Sequence, residues 1–323
     1  MVLQGLAAGE ASGPDPVEAF HNASAWEYRR DLEERTPDVV YFADSVMGGH
    51  CESEARTTLA ELFAAGSGRT VRGVSGAGYT AVVFRGYALV TSKAEKRPSL
   101  AILALNPRSL SDGWFFSEDY QYSRLASYLA ALACRPSWGD WLAWLPRRMG
   151  AEELDSRITR DARAGTGPDA GEYFRSMRRD LKAFGPPGPS LDEEERGIRE
   201  HFLVNYMSTR VDRGHPMLAE LLSAVRLLRA AGVRVVVYVT PVNVREAERL
   251  IGPRFVEEFR RDMADAAEVF GREGVAFADL SELLDGSRFV DKQYACEHLD
   301  LEGRRILAAR VAEAAARDAP PGR

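Results

Sequence analysis

Three short runs in this chain are apolar at almost every position: 39–43 (Val-Val-Tyr-Phe-Ala), 99–105 (Ser-Leu-Ala-Ile-Leu-Ala-Leu) and 233–239 (Val-Arg-Val-Val-Val-Tyr-Val). A strand with one wet face alternates apolar and polar residues, whereas a strand covered on both faces does not. These runs therefore predict buried strands of a parallel sheet. Between and around them the spacing changes to that of helices. Ala55, Leu59, Leu62 and Phe63 recur at helical intervals over 54–65, and 79–93, 254–273 and 301–316 read the same way. Asp15-Pro16 marks the start of a first helix reaching about residue 35. Shorter strands are expected at 70–75 and 275–278. Strands alternating with helices imply one parallel five-stranded sheet with helices on both faces, a three-layer α/β/α sandwich.

The length, 323 residues, suits one large α/β domain carrying an insertion. Residues 1–14 are small and Gly/Ala-rich and are expected to be disordered. Residues 15–107 and 216–318 would form the α/β domain. Residues 108–215 do not read as sheet and form a large, mainly helical insertion. Its aromatics, among them Trp114, Phe115, Phe116, Trp138, Trp141 and Trp144, read as the small core of a helical subdomain. Springing from the carboxyl edge of the sheet, the insertion is also a candidate cap over a pocket. A net charge of −6, with paired arginines set among acidic residues, argues against a nucleic-acid partner. Cys51, Cys134 and Cys296 show neither a disulfide framework nor a metal-ligand spacing, so free thiols in a reducing compartment are expected. No signal peptide or membrane span is evident, which makes cytoplasmic residence, with no membrane partner, the expectation.

Ligands of a parallel α/β sheet bind beyond the carboxyl ends of its strands. Ser45 stands there, where the first apolar run hands over to polar, Gly-rich residues. Unpaired N–H groups at a helix start would serve an oxyanion beside it, although serine in such a place also acts simply as a cap. Gly76 lies in the turn after the second strand, Asn106-Pro107 ends the third, and Asn243 follows the fourth. His298 lies in a loop ahead of the last helix, a suitable place for a general base. His21, His201 and His215 have no comparable setting, and His50 is near Ser45 only in sequence. Ser75, within Gly73-Val74-Ser75-Gly76-Ala77, is an alternative nucleophile, since that stretch is a nucleophile elbow lacking its last glycine. Gly73-x-x-Gly76-x-Gly78 lacks the opening of a dinucleotide fingerprint, and the His and Cys residues near Ser45 and His298 lack further ligands for a metal. Neither a cofactor nor a metal is expected.

Taken together and in order, four blocks resemble the SGNH, or GDSL-like, hydrolase superfamily. Ala43-Asp44-Ser45-Val46 matches its Gly-Asp-Ser-Leu block with alanine for glycine. Gly76, or as the second choice Gly78, matches the glycine after the second strand, Leu105-Asn106-Pro107 falls where that family has Gly-x-Asn-Asp, and Cys296-Glu297-His298-Leu299 matches the final block. The resemblance spans the sheet framework but not the insertion, and it implies a flavodoxin-like fold. It also implies Ser45 as nucleophile, His298 as general base, and an oxyanion hole from the Ser45 and Gly76 N–H groups and the Asn106 amide. Asp44 and Asn243 are assigned to substrate binding at the same edge. The family's third triad member, an aspartate three residues before the histidine, is replaced by Ala295. Asp291 or Glu297 could orient His298 instead, or a Ser45–His298 dyad could rely on a backbone carbonyl.

Val239-Thr240-Pro241-Val242-Asn243 is similar to the Pro-Val-Asn stretch of the DltD-like and alginate-acetylation branches, which move acyl or aminoacyl groups. The expected function is thus serine-dependent transfer of such a group to a hydroxyl or amine of a small-molecule acceptor. The donor would be an acyl carrier, a coenzyme A thioester or an aminoacyl ester. Plain carboxylic-ester hydrolysis is the alternative, and a non-catalytic binding protein that kept the sheet is the competing class.

Overall fold

The strands expected from the apolar runs form β1 (Val39–Ala43), β2 (Val71–Ser75), β3 (Leu100–Leu105), β4 (Arg234–Val239) and β5 (Ala276–Asp279). They make a single parallel sheet of order β2-β1-β3-β4-β5. The structure is a computed structural model that describes residues 16–48, 57–116, 123–133, 170–290 and 297–317. Residues 1–14 and, within the expected insertion, 117–122 and 134–169 lie outside the described residues, as do Cys51, Cys134, Cys296 and His50. Every residue of β1 and β3 is buried, as is β4 after its first residue, whereas the edge strands β2 and β5 are partly exposed. That contrast explains why the central strands are uniformly apolar while β2 admits Arg72 and Ser75.

In chain order the helices are α1 (Pro16–Glu34), α2 (Leu59–Ser67), α3 (Ala81–Lys93), α4 (Asp112–Phe116), α5 (Ser123–Ala133), α6 (Ala170–Ser176), α7 (Glu193–Met207), α8 (Pro216–Ala230), α9 (Val244–Ile251), α10 (Pro253–Arg272) and α11 (Leu301–Arg317). Crossovers between parallel strands are right-handed. The β1-to-β2 connection therefore places α2 on one face, where α11 packs beside it. The later crossovers run the other way across the sheet and place α3 and α8 on the opposite face. There α3 also meets α1 and α5. The result is the flavodoxin-like α/β/α sandwich, and the chain reverses its course across the sheet between β1 and β3. Such a switch opens a crevice at the carboxyl ends of those two strands.

Two short 3₁₀ turns shape that crevice, Ser45–Met47 after β1 and Pro107–Leu110 after β3. The second is anchored from below by His215, the N-cap of α8. Its Nδ1 accepts from the Met217 N–H at 3.2 Å, so Nε2 carries the hydrogen and donates to the Leu110 carbonyl at 2.8 Å. Complete burial holds the imidazole neutral by lowering its pKa to about 4. On the far side of the crevice, Arg179 reaches Asp262 on α10 with two bonds of 2.7 and 2.6 Å. Asp262 also accepts from the Val211 N–H, so the stretch entering α8 is fastened to α10. No helix among the described residues is long and apolar enough to cross a membrane.

The depressed His215 pKa has a definite sign. Between about pH 4 and 6.5 the unfolded chain binds this proton and the folded one does not, so its contribution is present above pH 6.5 and lost as pH falls. His215→Asn keeps a capping oxygen without the titration. Urea unfolding across this window should show wild type losing up to about 3 kcal/mol relative to the variant as pH is lowered.

Candidate active site

The register of the sheet brings the first pieces together. Ala43, the last residue of β1, lies beside Ser75, the last of β2, and Phe42 lies beside Leu103 of β3. Asp44 and Ser45, Gly76, and Asn106 therefore leave the sheet at adjacent points on one edge. The sequence left open whether Ser45 merely caps a helix. The cap is Asp44, whose Oδ1 accepts from the Val46 N–H at 3.1 Å, and Ser45 is the first residue of the turn. The serine hydroxyl is thereby left for another partner, which is His298: Nε2 lies 3.2 Å from Ser45 Oγ.

His298 is delivered by an extended stretch pinned to the segment before it. The Val290 N–H donates to the His298 carbonyl at 3.0 Å, the Asp300 N–H donates to the Arg288 carbonyl at 2.9 Å, and Leu299 bridges Phe289. The fully buried Arg304, one turn into α11, donates to the Leu299 carbonyl at 2.7 Å. Asp300 accepts from the Gly303 N–H at the start of α11, and a Cβ at Gly303 would press on Asp300 and Arg288 at 3.1 and 3.2 Å. Glycine at this position lets the loop turn tightly into the helix.

Asn106 is held in one orientation. Its Oδ1 accepts from the Arg108 N–H at 3.0 Å, and its backbone carbonyl accepts from both the N–H and the hydroxyl of Ser109. Its Nδ2 consequently faces two carboxylates, Asp44 Oδ2 at 2.7 Å and Glu297 Oε2 at 2.9 Å. Glu297, 3% exposed, also accepts from the Tyr206 hydroxyl at 3.2 Å and pairs with the Arg108 guanidinium, which lies 3.9 Å above the Trp114 ring centroid. Burial drives the Glu297 carboxyl up and Arg108 pulls it back. The neighbouring Asp44 raises it again, while the bonds from Asn106 and Tyr206 lower it, and it comes to rest at about 7.

Of the other residues expected at the site, Gly76 is covered by Tyr79. A Cβ there would fall 2.5 Å from the ring Cζ and 2.9 Å from Cδ1, so only glycine lets the backbone pass beneath that ring. Asp44 is buried and both its oxygens are engaged, by the Val46 N–H and by Asn106. Asn243 caps α9, accepting from the Glu246 N–H at 3.2 Å. Ser75 is exposed at the end of the edge strand β2. Asp291 and Ala295 lie outside the described residues, and Glu297 is turned to Asn106, Arg108 and Tyr206. Among the described residues no cluster of three or more His, Cys, Asp or Glu side chains could hold a metal ion. Sequence reasoning missed Arg108, Trp114 and Tyr206. The one local signal for Arg108 is its place two residues after Asn106; Tyr206, arriving from α7, carries none.

No family model matches the sequence, and no curated protein matches it. Among solved structures, the chain is similar to a Bacteroides fragilis protein named as an acylhydrolase, at 10% identity over 90% of this chain and 93% of that one, with a TM-score of 0.39. It is also similar to a GDSL-like lipase from Bacteroides thetaiotaomicron, at 12% identity over 94% and 100%, with a TM-score of 0.40. Likenesses this distant carry no weight about residues or activity; the fold rests on strand order and register.

The Arg108–Glu297 pair gives a stability test. Removing one partner of a buried ion pair leaves the other uncompensated, typically at a cost of about 3–5 kcal/mol. Glu297 escapes the full cost by taking up a proton once Arg108 is gone, so Arg108→Met should destabilise by about 1.4 kcal/mol more at pH 8, where the wild-type carboxyl is ionised, than at pH 5, where a carboxyl with a pKa of about 7 is already neutral. Urea midpoints for wild type and variant at the two pH values measure the difference.

Proposed function

We propose that this protein is an acyl-transfer enzyme of the SGNH type that works through an acyl-Ser45 intermediate. The observation that carries the reading is the 3.2 Å contact between Ser45 Oγ and His298 Nε2, two groups 253 residues apart in sequence. Both stand at the edge of the sheet where ligands of this architecture bind. A serine hydroxyl is a poor nucleophile until a base takes its proton, and a neutral imidazole nitrogen within hydrogen-bond reach is the usual base.

In the proposed course, His298 Nε2 accepts the Ser45 proton as Oγ bonds to the carbonyl carbon of an ester or thioester. The carbonyl oxygen becomes an oxyanion. Its donors are the Ser45 N–H, which as the first of its turn has no partner within that turn, the Gly76 N–H and the Asn106 amide. Collapse breaks the bond to the leaving group, which takes the proton back from His298. An acceptor hydroxyl or amine, or water, then gives its proton to His298 and attacks acyl-Ser45, releasing product and restoring the hydroxyl. Transfer to a small-molecule acceptor is preferred over hydrolysis because of the Pro241-Val242-Asn243 stretch that follows β4.

A fluorophosphonate probe should label the full-length protein at Ser45, as located by peptide mass. Labelling should vanish in Ser45→Ala, persist in Ser75→Ala, and slow by about 10³-fold or more in His298→Ala. Labelling lost only in Ser75→Ala would move the nucleophile, and none at all beside a reactive control esterase would favour a binding protein. Incubating an acyl thioester with and without candidate hydroxyl or amine acceptors, and weighing the products, separates transfer from hydrolysis.

A further inference from the structure

An amide nitrogen has two hydrogens, and at Asn106 both are committed, one to Asp44 Oδ2 at 2.7 Å and one to Glu297 Oε2 at 2.9 Å. The amide cannot turn over to free a hydrogen. Its oxygen is tied to the Arg108 N–H, and reversal would set that oxygen against two carboxylates. If Asn106 is to serve an oxyanion at Ser45, one carboxylate must release it. Asp44 is poorly suited, because its other oxygen caps the turn that carries Ser45. Glu297 is well suited, because Tyr206 and Arg108 hold its carboxyl in place whether or not it accepts from Asn106.

We propose that Glu297 is a positioning residue acting through Asn106: as a carboxylate it withholds the amide hydrogen that the oxyanion needs, and on taking up a proton it releases it. This inference rests on the acyl-transfer reading of Ser45. The groups facing Glu297 come from every element around it. Arg108 from the turn after β3 and the Tyr206 hydroxyl from α7 favour the charged form, Asp44 from the end of β1 opposes it, and His298 is its neighbour in the chain. With Glu297 charged, an oxyanion would compete with a carboxylate for one hydrogen and stand near a like charge. With Glu297 neutral, both penalties fall away. Burial keeps the carboxyl at about 7, so the exchange falls in the neutral range.

The pH profile of fluorophosphonate labelling at Ser45 tests this in the full chain without a known substrate, because phosphonylation also builds negative charge on an oxygen beside the serine. The wild-type rate constant is expected to decline above about pH 7. Glu297→Gln should abolish the decline, labelling about ten-fold faster than wild type at pH 8.5, and should have no effect in an Asn106→Ala background. Should Glu297→Gln fold poorly with Arg108 unpaired, Tyr206→Phe gives the same answer more gently. It removes a bond that favours the carboxylate, so the declining limb should move to higher pH. A wild-type rate that rises to a plateau, a limb unmoved by Tyr206→Phe, or a Glu297→Gln effect that persists without Asn106 would overturn the proposal while leaving Ser45 as nucleophile. Absence of labelling at every pH would overturn both.

Discussion

The side chain of Asn106 joins three segments that meet nowhere else in sequence. Its oxygen closes the turn after β3, and its nitrogen binds Asp44 at the end of β1 and Glu297 ahead of α11. In a buried setting such bonds act at short range and low dielectric, so each is stronger than in water and costly to leave unmade. Around this amide sit two carboxylates, one guanidinium and one phenol, all largely out of solvent. Burial and the neighbouring Asp44 raise the Glu297 carboxyl against the pull of Arg108. The geometry that fixes the crevice is therefore also what makes one of its acids easy to protonate.

The residues beneath the crevice show how that geometry is kept. Asp44 rather than Ser45 satisfies the N–H of the turn, leaving the hydroxyl for His298. His215 is used for shape alone, as a neutral ring bridging the start of α8 to the turn that follows Asn106. Arg304 is fully buried and holds the carbonyl next to His298. Each is a polar group placed where a loop would otherwise leave backbone groups without partners, which is how irregular segments persist against a buried sheet.

Much of the architecture was legible because the sheet is covered on both faces. The runs at β1, β3 and β4 could be read as buried strands, and the spacing in 254–273 and 301–316 as helices, without knowing what packs on them. Ser45, Gly76 and Asn106 were legible because each ends a strand, and His298 because it precedes the last helix. The surroundings of Asn106 were not. Tyr206 and Trp114 are chosen by packing between α7, α4 and the turn after β3, and such contacts leave no period in the sequence. Glu297 could be read from the chain only as a neighbour of His298. Its burial against Arg108 depends on the path of the loop, which local residues do not specify. Asn243 follows β4, and its side chain caps α9.

The distance along the chain between Ser45 and His298 has a consequence for how the site comes into being. Ser45 is made well before His298 and β1 can pair with β2 and β3 soon after, but the imidazole arrives only when the loop before α11 docks against residues 288–290 and α11 packs on α2. Contacts of such long sequence separation form late, since the loop between them must first be closed. A chain still emerging from the ribosome thus carries Ser45 without His298, and the contact between them is a property of the finished fold alone.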